Sequence, residues 1–187
     1  MGTFGPLSAM TFATDSALGA IAWTNASNAQ ISDNSYATSV LLLGQITNYL
    51  KATNFGFSIP LDATITGITA GVERSSNTLN ATHDNSVKLT VSGATTGNDK
   101  ASANLWPTSD ATATYGSSSD LWGATWTPTQ INDSTFGVEV SAIADLAGTA
   151  QIDYVSITVD YTGSNRGGNM IRQVKTGNGM SVSEGAN

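Results

Sequence analysis

A chain of 187 residues is long enough for one domain with a full hydrophobic core and too short for two ordinary ones. Only 11% of its residues are charged, against about 25% in typical globular proteins, and Thr, Ser, Asn, Ala and Gly take their place. That palette excludes a fold of solvent-facing helices, and a net charge of −7 excludes nucleic acid as the main partner, because phosphate binding needs clustered Lys and Arg.

There is no cysteine, which removes disulfides, zinc–thiolate sites and thiol catalysis together. The opening MGTFGPLSAMTFATDSALGA lacks a positive start and an unbroken apolar run, so no secretory signal is read there. Pro6 stands where a myristoylation site would want Ser or Thr. Residues 1–31 hold few large apolar side chains and are expected as an extended N-terminal segment.

From about Tyr36 onward, short alternating segments recur between turn signals, the pattern of strands. Candidates are 36–43 and 47–55, then Ile68, Ala70 and Val72 on one face. In SVKLTVS, residues 86–92, Val87, Leu89 and Val91 share a face opposite Lys88 and Thr90. Residues 111–115 follow, and Phe136, Val138 and Val140 repeat the pattern with Gly137 and Glu139 opposite. Ile152 and Tyr154 lie in one phase and Val155, Ile157, Val159 and Tyr161 in the other, which implies a bulge or a strand covered on both faces. Only residues 128–132 look helical, one turn with Thr127 as N-cap and Pro128 first. The longest apolar run, residues 40–43, is too short to span a membrane, and a soluble protein used without processing is expected.

Seven or eight short strands predict an all-β fold, a β-sandwich of jelly-roll type, occupying residues 32–162. The body, residues 1–162, carries 13 acidic and 4 basic side chains, a net of −9. Residues 163–187 carry Arg166, Arg172 and Lys175 against Glu184, a net of +2, and read as an extended C-terminal arm. Within it Met170, Ile171, Arg172, Val174 and Lys175 have the β-propensity to add as a strand to a neighbour's sheet edge, the alternative being a solvated tail.

Chemistry-bearing motifs are sparse. His83 is the only histidine and has no nucleophile elbow to serve, so a surface loop before a strand is its plain reading. The triplet Asp-Asn-Ser occurs at Asp33-Asn34-Ser35 and Asp84-Asn85-Ser86. Neither has calcium-loop spacing, so side-chain turn closure is expected at both, with no metal or other cofactor. Three tryptophans crowd turn-rich sequence: Trp106 in ANLWPTSD, and Trp122 and Trp126 in DLWGATWTP. They are either anchors that pin loops to the core or a platform for sugar rings, with Asp110, Asp120 and Asn104 at hand for hydroxyls. Anchoring is favoured, because a chain this poor in charge and helix needs it.

The blocks SDNSYAT, TNYLKATNFGFSIP, ATITGI, DNSVKL, LWPT, YGSSSDLWGATWTPTQIND, FGVEV and IDYVSITVDYT follow one another over roughly residues 32–162. Their succession resembles a β-sandwich domain met in bacteriophage-encoded and phage-like proteins, a family without a catalytic motif to transfer. The resemblance implies a structural protein of the virion, foremost a capsid decoration or cement protein. Its partners would be capsid or other virion proteins and further copies of itself, with neither nucleic acid nor membrane, and it would not be an enzyme. A tail, neck or fibre component is the alternative within the particle. A carbohydrate-binding module using Trp106, Trp122 and Trp126 is the alternative outside it.

Overall fold

The alternating segments become strands whose apolar phases all point between two sheets. The computed structural model describes residues 1–163. In chain order the strands are β1 (Gly2–Ser8), β2 (Thr11–Asp15), β3 (Ala37–Leu41), β4 (Tyr49–Thr53), β5 (Thr64–Ser76), β6 (Thr82–Val91), β7 (Ala94–Thr96), β8 (Ala111–Ser117), β9 (Gly137–Ala144) and β10 (Gly148–Thr162). One sheet runs β1-β10-β5-β8, with β3 also against β10; the other runs β2-β4-β9-β6-β7. All pairs are antiparallel, and the two sheets pack as a sandwich.

The core lies where the predicted faces meet. Ile68, Ala70 and Val72 of β5, Val87 and Leu89 of β6, Val138 and Val140 of β9, and Val155, Ile157 and Val159 of β10 are fully buried. The phase change in β10 is a bulge between Ile152 and Tyr154. It inserts Asp153, which is buried and accepts a hydrogen bond from Asn34 N at 3.1 Å. The helical turn is α1 (Pro128–Ile131), closed by a capping box: Gln130 N donates to Thr127 Oγ1 and Thr127 N donates to Gln130 Oε1.

Ten strands are described where seven or eight were expected, and the difference lies mostly at the start. Residues 2–15, expected as an extended segment outside the sandwich, form an edge in each sheet: β1 pairs with the C-terminal half of β10, and β2 pairs with β4. Pro6 and Gly5 hid β1, because they sit at an irregularity between Phe4 and Leu7 that breaks the alternation. Trp23 also belongs to the core, donating from Nε1 to Asn48 O at 2.8 Å. The C-terminal arm, with Met170, Ile171, Arg172, Val174 and Lys175, lies outside the described residues.

Candidate functional site

Asp84 is the centre of the densest polar cluster, and a bulge puts it there. On a regular β6 the side chain of Asp84 would oppose the inward Val87 and Leu89. The register slips between Asp84 and Ser86, so Asp84 pairs with Ala142 and Val87 with Val140, both on the core face. The second Asp-Asn-Ser triplet is therefore not a turn, and the expectation of a loop there is corrected. His83 likewise lies inside β6, paired with Ile143, where a loop was expected, and its Nδ1 is 2.6 Å from Asp145 Oδ2. The first triplet does close a turn, with Asn34 in the left-handed region and Ser35 N donating to Asp33 Oδ1 at 2.9 Å.

Four donors converge on the buried Asp84 carboxylate. Arg74 Nη1 forms a close ion pair with Oδ1, which also accepts from Trp106 Nε1 at 2.8 Å. Oδ2 accepts from Tyr115 Oη at 2.9 Å and from Ser102 N at 3.0 Å. The Arg74 guanidinium is sandwiched, 4.9 Å from the centre of the Trp106 ring and 5.7 Å from that of Tyr115. Burial lowers the pKa of Arg74 from its ordinary value, though a guanidinium so paired keeps its proton. Burial also pushes the Tyr115 hydroxyl up to about 12, against the opposing pull of the Arg74 charge. Tyr115 thus stays neutral and keeps donating. Because Arg74 and Tyr115 belong to one sheet and Asp84 to the other, the cluster ties the two layers together. With its lone pairs occupied, the carboxylate is equipped to hold structure, not to take a proton from a substrate.

Outside this tie opens a cleft of about 460 Å³, lined by Arg74, Lys100, Ser102, Asn104, Thr114, Tyr115 and Asp120. Its walls are polar, and Lys100 Nζ pairs with Asp120 Oδ2 at 2.7 Å. That bond, and then the amide of Trp122, hold the Asp120 carboxyl below the ordinary carboxylate range. Asp110 lies elsewhere, accepting from Tyr36 Oη and Ser75 Oγ, both at 2.7 Å. The first of these bonds is the main reason that the Tyr36 hydroxyl is pushed up to about 12.

The three sequence-predicted tryptophans are all inside. Trp106 is 1% exposed, Trp122 fully buried and Trp126 5% exposed. Each indole N–H has a partner: Asp84 for Trp106, Ile68 O at 2.8 Å for Trp122, and Leu121 O at 2.9 Å for Trp126. Lys100 Nζ lies 5.9 Å from the centre of the Trp122 ring, and Trp126 packs edge-on against Phe136 at 5.5 Å. They are loop anchors, and no sugar-stacking face is built from them. The outer face of the second sheet holds another charged set that the sequence did not single out. Lys51 Nζ bridges Glu139 at 2.8 Å and Asp15 at 3.2 Å. Burial opposes the Lys51 charge, but the two carboxylates outweigh it and hold the pKa above its ordinary value.

Among the described residues no group of three or more His, Cys, Asp or Glu side chains is placed to hold a metal ion, and no helix is long and apolar enough to cross a membrane. Comparison of the chain with protein-family models, curated proteins and solved structures finds no match.

Proposed function

We propose that this protein is a structural subunit of a bacteriophage particle, foremost a capsid decoration or cement protein that stabilises the particle by binding between its subunits. The structural observation that supports an assembly role is where exposed apolar residues gather. Val40, Leu42 and Leu43, at the end of β3, and Leu79 and Leu146, in the turns after β5 and β9, stand out of a polar, weakly charged body at one end of the sandwich. Large apolar side chains exposed near one another are one way a surface is built for contact with another protein. The body beneath is braced for such a role, with four anchored indoles and a cross-sheet ion pair.

The strand order supports reading the sandwich as a jelly roll. Strands β1-β10-β5-β8 facing β4-β9-β6-β7 follow the eight-strand, two-Greek-key arrangement common in viral capsid domains, with β2 and β3 added beside it. Fold alone does not assign function, so the resemblance of the sequence blocks to phage β-sandwich domains carries the particle assignment. The terminal arm of this reading is the C-terminal one, since the first residues belong to the sheets.

Quantitative mass spectrometry of purified particles tests it. We expect a copy number comparable to that of the major capsid subunit. A small fraction of that number would reassign the protein to the tail or neck, and absence from particles would overturn the reading.

A further inference from the structure

We propose that the cleft outside the Arg74–Asp84 tie binds a neutral saccharide unit through hydrogen bonds, without an aromatic platform. The site is independent of the assembly role proposed above.

The cleft lies on the open flank of the sandwich, between the edges of the two sheets. One wall is the edge strand β8. The other is the segment after β7, which lies along β6 through Lys100 N to Val87 O and Trp106 N to Thr82 O, both at 2.8 Å. Residues 113–116 all line the cleft. Successive residues of a strand face opposite ways, so the cleft meets β8 along its backbone edge, where no strand lies opposite. Both walls are fixed before a ligand arrives: Ser102 N and Tyr115 Oη are held by Asp84, and Lys100 N by Val87 O. A pre-formed space of about 460 Å³ is within the range of small-ligand sites.

The lining selects the ligand by its charge balance. Arg74 is neutralised by Asp84 beneath it, and Lys100 by Asp120 beside it. The cleft thus offers an ion no net charge, and the surrounding body of −9 disfavours an anion further. What remains is a mixed set of donors and acceptors. The Asp120 carboxylate accepts, the Lys100 ammonium donates, and Ser102, Asn104 and Thr114 do both. Each sugar hydroxyl is likewise donor and acceptor, so neighbouring hydroxyls match this set as an apolar ligand would not. A peptide strand fits less well. The lined edge spans four residues, about 13 Å, and Gly116, at φ 76°, turns it out of the extended form. Asp120 and Asn104, singled out in the sequence as partners for hydroxyls, do meet here, but the tryptophans beside them are buried. With few net hydrogen bonds and no stacking, the expected Kd is about a millimolar.

Titration of the isotope-labelled full-length chain with the methyl glycosides of glucose, galactose, mannose and N-acetylglucosamine, followed by amide shifts, tests the proposal. We expect at least one glycoside to shift the amides of Ser102, Asn104, Thr114 and Gly116 saturably. Asn104→Ala and Thr114→Val, at exposed positions, should each weaken that glycoside about five-fold and leave the melting temperature unchanged. The absence of a saturable shift with any of the four would overturn the proposal. So would equal binding of glycerol, an adventitious polyol contact only, or tighter binding of acetate, which would make the cleft an anion site. Tighter binding of a short uncharged peptide would make it a strand site instead. Folded variants that bind the glycoside as the parent does would place the sugar elsewhere and equally defeat the assignment.

Discussion

Trp122 shows how much one residue is asked to organise. It adopts φ 58°, a left-handed conformation uncommon for a bulky side chain. Its amide donates to Asp120 Oδ1 at 2.7 Å, its carbonyl accepts from Asn98 N at 2.6 Å, and its indole reaches Ile68 O. Gly116 makes room for it, since a Cβ there would lie 2.6 Å from the indole nitrogen and 2.2 Å from Ile68 O. Trp122→Ala therefore removes a full indole from the core and leaves Ile68 O without its indole donor. We expect a loss of about 3–5 kcal/mol in urea unfolding, with loops around Asn98 and Asp120 loosened first. A variant as stable as the parent would show that the ring anchors nothing. The sequence singled this residue out as a loop anchor or part of a sugar platform, and the structure buries it.

At the scale of elements, what was legible is what is local. The capping box of α1 lies within four residues, so Thr127 and Pro128 announced it. The change of apolar parity between Tyr154 and Val155 pointed to a bulge or a strand covered on both faces, and the bulge lies just before it, between Ile152 and Tyr154. Strand β1 was not legible. Gly5 and Pro6 interrupt its alternation, and only pairing with β10 makes GTFGPLS a strand. Phe4 packs edge-on against Phe57 with ring centres 5.8 Å apart. Phe4→Ala should lower the unfolding free energy by about 2 kcal/mol, less than a fully buried Phe would cost, measured by urea titration. An unchanged midpoint would restore the picture of a free N-terminal extension.

At the scale of the molecule, two sheets are held by an apolar core and, among the described residues, by an ion pair that crosses between them, Arg74–Asp84. Leaving either charge of a buried pair alone costs about 3–5 kcal/mol, so Asp84→Ala and Arg74→Ala should each destabilise on that scale. Because Trp106, Tyr115 and Ser102 also depend on Asp84, its removal should be the worse of the two. A double-mutant cycle should return a coupling of about 1–3 kcal/mol. Strict additivity would mean that the two side chains stabilise their own sheets independently.

The sequence by itself determined the all-β class, the inward faces of the main strands and the helical turn. Each of these is written in periods of two, in caps or in composition, over stretches shorter than a dozen residues. Only the tertiary structure decided the place of Asp84 and of β1. A bulge resets the face of every residue before it, and a strand interrupted by Gly and Pro is defined by its partner. Both depend on hydrogen bonds to chain more than fifty residues away. The exposed leucines were likewise visible as letters, but their meeting at one end follows from backbone ties between distant turns, which no local pattern encodes.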